Sequence, residues 1–324
     1  MTTKKASFQT DEEMRESSFP LEWDNTMLVQ GSACRRRLYW FLRGVDYRVK
    51  PVYFAWGAAW QAGIEAWYGS EGEMDERYEI ARDAAFSVWE DTQGGKKDSK
   101  TSLERGLLYY AAEYPKELWK IQLLRGKSEF GFSFPLPETE FSLTGAVDGY
   151  IEWSPYGLLL LENKSTGMYF YETFHQQWGF STQIAQYIWA LKQILGETPF
   201  GALVNVVSKS VISTQKAWDL FRKTGSPPEN AFSRHLEKRS EFSLLDFERD
   251  TRILLEDLHL EWDRWLWPKT RDHIQCVGGP GKSACMYRRL CLVDSYPWSI
   301  QDPTGPDLKW RDEPWKPWER GGIE

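Results

Sequence analysis

The chain has 324 residues, 41% of them hydrophobic and 15% aromatic, enough apolar mass to bury a sizeable core in one large domain or two ordinary ones. Its 40 basic and 47 acidic residues leave a net charge of -7, which excludes a global basic field, and no apolar run approaches the ~20 residues of a membrane span. Residues 1–31 lack the basic-then-apolar layout of a signal peptide, so a cytoplasmic location with no membrane partner is expected, where four cysteines suit a metal or cluster site better than disulfides.

In chain order, residues 1–20 are polar and weakly patterned, as in a loosely ordered terminus. Apolar spacing over 27–41 predicts a helix with Cys34 in its interior and Gly44 as its stop, and Arg35, Arg36 and Arg37 make a local basic cluster there. A second helix is expected over 54–68, closed by Gly69-Ser70-Glu71-Gly72. Residues 74–125 read as a lobe of two or three amphipathic helices, broken at Gly94-Gly95-Lys96-Lys97 and inserted before any strand. Strand-like runs follow at 141–153 and 158–164, joined by the tight turn Ser154-Pro155-Tyr156-Gly157. A helix over 180–195, a short apolar strand over 202–207 and a long helix over 244–267 complete a mixed α/β order. Residues 21–297 are expected to form one domain, with 126–210 as its sheet and helix and 298–324 as a tail rich in Pro, Trp and acidic residues. The 18 tryptophans point to broad aromatic packing and to some exposed stacking surface for a ligand or base.

The segment LTGAVDGYIEWSPYGLLLLENKST carries the chemistry. Folding about the 154–157 turn sets Asp148 nearly opposite residue 163, and the two-residue strand period sends Glu162 and Lys164 to one face. Hydrolysis of a phosphodiester needs a hard cation held by oxygens, an activated water and positive charge for the developing phosphorane. Asp148 and Glu162 would hold Mg²⁺ or Mn²⁺, the backbone carbonyl of Asn163 would complete the shell, and Lys164 would orient water or stabilise the transition state. Two decoy triplets, Asp98-Ser99-Lys100 and Asp307-Leu308-Lys309, do not follow a buried strand.

These residues resemble the RecB-like branch of the PD-(D/E)XK nuclease superfamily, which includes bacterial recombination nucleases and CRISPR-adaptation exonucleases, over about Cys34 to Cys291. In that branch the helix before the hairpin carries Gly, then His, then an acid at intervals of four, and WGAAWQAGIEAWY supplies Gly57, Gln61 and Glu65. Gln61 stands in place of the His, and Glu65, one turn on, is the carboxylate offered to the metal. The branch's Gln-x-x-x-Tyr motif matches Gln183 and Tyr187 in STQIAQYIWAL, which the resemblance places at the active site and on DNA. Gln61, Arg35 and Arg36 are further candidate DNA contacts. The resemblance implies a restriction-endonuclease-like core, a central mixed sheet flanked by helices, with an inserted helical lobe.

Cys34 stands near the start, while Cys276, Cys285 and Cys291 are separated by eight and five residues near the end. Four thiolates hold either a 4Fe-4S cluster or a zinc ion, and the count does not separate them. One N-terminal and three C-terminal cysteines resemble the iron-sulfur group of RecB-like nucleases, which implies a cluster joining the two ends of the chain. The expected activity is therefore metal-dependent exonucleolytic hydrolysis of DNA, with single-stranded ends favoured, in recombination, repair or phage DNA metabolism alongside recombination or replication proteins. Two alternatives stand beside it. One is a noncatalytic nucleic-acid-binding or scaffold protein, and the other is an NTPase built on Gly281-Lys282-Ser283, which lacks the strand and leading glycine of a phosphate loop. His175, His235, His259 and His273 show no metal or triad spacing, and no Gly-x-Ser-x-Gly elbow is present.

Overall fold

The structure is a computed structural model that describes residues 11–89, 95–117, 120–122, 130–278, 284–292, 307–311 and 315–316. The phosphate-loop-like Gly281-Lys282-Ser283 lies outside these residues.

The elements in chain order are α1 (Asp11–Arg15), β1 (Glu22–Asp24), α2 (Asn25–Ala33), α3 (Arg35–Leu42), β2 (Val45–Tyr47), α4 (Val52–Gly69), α5 (Met74–Val88) and α6 (Lys100–Glu113). Then follow β3 (Lys120–Gln122), β4 (Phe130–Pro135), β5 (Ser142–Val147), β6 (Tyr150–Trp153), β7 (Gly157–Thr166), a 3₁₀ helix (Phe174–Phe180), α7 (Thr182–Leu195) and β8 (Gly201–Ser208). The chain ends with α8 (Lys209–Ile212), α9 (Gln215–Thr224), β9 (Phe232–Lys238), α10 (Glu241–Asp263), α11 (His273–Val277), α12 (Arg288–Leu292) and β10 (Leu308–Trp310). The fold is mixed α/β, and no described helix is long and apolar enough to cross a membrane.

Residues 21–297, read above as one domain, are divided between two compact units. The first comprises 1–49, 131–146 and 244–324, and the second comprises 50–130 and 147–243. The first holds a three-stranded sheet of order β1-β5-β4 and an antiparallel β10-β2 pair. Phe19 packs on Trp23 at 5.2 Å and on Phe141 and Trp262 at 5.6 Å, an aromatic core whose members lie far apart in sequence.

The second unit is built on a five-stranded sheet of order β3-β6-β7-β8-β9. β7 and β8 run parallel, and GALVNVVS is buried along its whole length, as a strand covered on both faces must be. Gly201 is required by close approach, because a Cβ there would lie 2.1 Å from the Glu237 carbonyl of β9. Trp56, Trp60, Ile64 and Trp67 of α4 form a core with Leu103 and Leu107 of α6, so much of the tryptophan content is packing.

Several expectations are corrected. The helix expected over 27–41 is two helices, because Cys34 adopts extended backbone between α2 and α3 and its thiol accepts the Thr270 N–H at 3.3 Å. The strand expected over 141–153 divides at Asp148-Gly149 into β5 and β6, which join different sheets. Three short strands, β1 to β3, begin before residue 125, too brief to leave a periodic trace. Residues 11–20, expected to be loose, contain α1, whose Met14 is fully buried and whose Asp11 accepts from Tyr39 and Trp265. The tail supplies β10 as a partner for β2, and Trp315 donates to Asp24 at 2.8 Å.

Candidate functional site

The hairpin of β6 and β7 positions the acidic residues. Tyr150 pairs with Leu160, and continuing that register brings Asp148 level with Glu162, one residue from the expected 163. Gly149 has φ 150°, a conformation glycine favours, and it ends the extended run immediately after Asp148. The freed Asp148 carboxylate accepts the Asn163 N–H at 2.9 Å, and the Gly149 carbonyl accepts the Leu161 N–H at 3.0 Å.

Glu162 and Lys164 share a face of β7, as the strand period requires. The Lys164 ammonium lies 2.5 Å from Glu162 Oε1 and donates to Gln183 Oε1 at 2.9 Å. Gln183 Nε2 donates in turn to the Tyr187 hydroxyl at 3.1 Å. Helix α7 makes this possible. Ser181 caps its start, Gly196 in left-handed conformation ends it, and the four-residue interval puts Gln183 and Tyr187 on one side.

Burial acts to lower the Lys164 pKa, but the Glu162 charge and hydrogen bond, with the Asp148 charge, outweigh it and the net direction is upward. Lys164 is therefore an ammonium donor near neutral pH. Glu162 is 2% exposed, and its second oxygen, Oε2, is sealed from solvent with no hydrogen-bond partner among the described residues. An ionised carboxylate oxygen in that position is costly unless a cation meets it. The donor set of Asp148 and Glu162, hard oxygens beside an ammonium, fits a divalent ion.

Glu65 stands on α4. Its hydrogen-bond partner is Gln61, at 2.9 Å, and among the described residues no three His, Cys, Asp or Glu side chains converge closely enough to hold a metal ion. A Cβ on Gly57 of α4 would meet the Ser165 side chain at 3.9 Å, on the odd-numbered face of β7, whereas Glu162 and Lys164 lie on the even face. Asn163, on the odd face, accepts from Asn205 Nδ2 at 3.0 Å.

Asn205 opens a buried network that sequence reasoning missed. Its amide also reaches Tyr68 at 3.2 Å and Tyr110 at 3.0 Å, and Arg234 bonds Tyr110 at 2.8 Å and Glu117 at 2.9 and 2.8 Å. The readable signal was the lone asparagine in the apolar run ALVNVV. This network secures α4, α6 and β9 to β7, the strand that carries Glu162 and Lys164. His175 and His235 stack at 4.8 Å, and Ser233 shares a hydrogen bond with His175 at 2.9 Å, pairings invisible in their sequence spacing.

In the first unit all four cysteines are unpaired thiols lining one cavity of about 130 Å³, together with Arg37 and Lys269. The Cys285 N–H donates to the Cys276 carbonyl at 3.1 Å, closing the loop that presents both thiols. Burial, then the neighbouring Cys285 charge, pushes the Cys291 thiol up to about 11, and burial raises Cys285 too. Thiols from three chain segments thus line one space with cationic side chains beside them, without converging, among the described residues, into a ready metal-binding group. Arg35 and Arg36, expected as DNA contacts, are otherwise engaged: Arg35 pairs with Glu261 and Arg36 donates to the Trp267 carbonyl at 2.8 Å.

Comparison of the sequence with protein families and with curated proteins gives no match. Among solved structures, the crystal structure of SSO0001 aligns over 76% of this chain and 82% of its own, at 12% identity and a TM-score of 0.30, a superposition too loose to transfer fold or function.

Proposed function

We propose that the chain is a metal-dependent DNA exonuclease with a PD-(D/E)XK core, acting at single-stranded ends in recombination, repair or phage DNA metabolism. The observation that carries the reading is Glu162: a nearly inaccessible carboxylate whose Oε2 lacks a partner among the described residues, set beside Lys164 and in line with the tethered Asp148. Buried orphaned carboxylate oxygens are rare in structural ion pairs and suited to cation binding.

In this reading Asp148 and Glu162, with the Asn163 carbonyl, would hold Mg²⁺ or Mn²⁺, which would supply Lewis-acid charge and lower the pKa of water. Asp148 is held ready by the Asn163 N–H. Lys164, kept protonated by its two acidic neighbours, donates to the attacking water or to the phosphoryl oxygens as charge develops there. Gln183 fixes the Lys164 ammonium, and Tyr187 fixes Gln183. No covalent intermediate is required. Cys34, Cys276, Cys285 and Cys291 would hold a 4Fe-4S cluster or, as the alternative, a zinc ion.

The test is digestion of end-labelled single- and double-stranded DNA by anaerobically purified protein with Mg²⁺ or Mn²⁺. Ordered release of nucleotides from single-stranded ends is expected. Absence of digestion, with DNA still bound, would replace this reading with a noncatalytic binding protein.

A further inference from the structure

Residues 167–181, GMYFYETFHQQWGFS, connect the strand bearing Lys164 to the helix bearing Gln183. Phe174 and Trp178 are buried and meet edge to face at 6.0 Å, and Phe170 packs on Phe174 at 5.1 Å. Gln177 donates to the Phe174 carbonyl at 2.7 Å, and Arg239 donates to the Trp178 carbonyl at 2.8 Å. The backbone is thus fixed from below. On this fixed support Tyr169, Tyr171 and Phe180 remain 61%, 54% and 88% exposed.

A single exposed aromatic needs no explanation, but three on one anchored segment joining the strand of Lys164 to the helix of Gln183 forgo the burial such rings usually find. Charge accompanies them. The Lys97 ammonium lies 3.4 Å from the Gly167 carbonyl, two residues before Tyr169, and has no ion-pair partner among the described residues. Ser208 and Ser210 hydroxyls hold the Met168 and Gly167 carbonyls, tying the segment's start to the end of β8. Glu172 is the segment's only acidic residue.

We infer that Tyr169, Tyr171 and Phe180 form a stacking shelf for the unpaired bases of a single-stranded polynucleotide, with Lys97 beside its backbone. The inference rests on the nuclease reading and gives that site its preference for single strands. Every base offers a π-face to such rings only when it has left the duplex stack, so the shelf selects unpaired strands without reading sequence.

The experiment measures binding of labelled oligothymidylate, an abasic strand of equal length and a duplex to the full chain in chelator, by fluorescence anisotropy. Tyr169→Ala, Tyr171→Ala and Phe180→Ala should each weaken oligothymidylate binding about tenfold while leaving the abasic strand and duplex unaffected. Tyr169→Phe and Tyr171→Phe should retain affinity, because the ring makes the contact. Lys97→Ala should flatten the logarithmic salt dependence by about 0.7, the share of one single-strand phosphate. Unchanged binding by a folded triple alanine variant, or equal wild-type affinity for abasic and base-bearing strands, overturns the shelf. Base-dependent binding with normal digestion by Asp148→Ala, Glu162→Ala and Lys164→Ala upholds the shelf and sinks the nuclease assignment. A chain that digests DNA but binds it without regard to bases does the reverse, and one that binds no polynucleotide overturns both.

Discussion

The two units hold their candidate ligands in opposite ways. In the second, Asp148, Glu162 and Lys164 sit on or beside paired strands, where main-chain hydrogen bonds fix each side chain to within one residue of its expected place. In the first, the cysteines come from a break between helices and from short helices and turns, and their thiols surround a cavity. Strands preorganise charge before any ligand arrives, whereas a loop-built thiol site depends on its ligand to draw the segments together.

The strongest way to break this contrast is to remove the acids or the lysine. Asp148→Ala, Glu162→Ala and Lys164→Ala should each lower Mg²⁺-dependent DNA cleavage on the order of 100- to 1000-fold, with the circular-dichroism spectrum unchanged. Full activity in all three would end the site assignment. The rigidity of the strand-borne site is tested from its back face. Glu117→Ala leaves Arg234 without its bidentate partner and should destabilise the chain by about 3 kcal/mol in urea titration. A loss below the error of that titration would show that the network does not brace the sheet.

Ligand linkage sharpens the comparison. Mg²⁺ at about 100 times its dissociation constant should stabilise the wild type by ~2.7 kcal/mol and Glu162→Gln far less. Equal stabilisation of both proteins would place the ion elsewhere. For the thiol site, anaerobically purified wild type should be brown and carry iron in elemental analysis, and Cys285→Ser should lose most of both. Colourless wild type bearing zinc would reject the cluster. The smallest effect concerns His175, whose pKa burial lowers, with the facing His235 adding to it. A lowered folded value means that folding resists protonation, so stability is full above the ordinary value of about 6.5 and declines as pH falls through it. His175→Gln should flatten the melting temperature between about pH 7 and 5.5, and an unaltered slope would assign the decline to other groups.

How far the sequence could be read depended on whether the signal was local. The turn at 154–157 and the alternation of Glu162 and Lys164 follow from rules that act over a few residues, and they were read correctly. The division of 141–153 was harder, since Val147 and Tyr150 are both good strand residues and only pairing partners decide that β5 and β6 belong to different sheets. Cys34 was misread for a similar reason: nothing in QGSACRRRL prevents a continuous helix, and the break accompanies the Thr270 contact made far along the chain.

The amino-acid sequence by itself determined the mixed α/β character, the hairpin and the grouping of one acid, another acid and a lysine, because strand period and turn chemistry are properties of neighbours. Only the tertiary structure decided that Asn205, Tyr110 and Arg234 brace the strand from behind, and that four cysteines line one cavity. Each of these depends on which face of an element meets another. That choice is made by packing among residues distant in sequence, where no local periodicity records it.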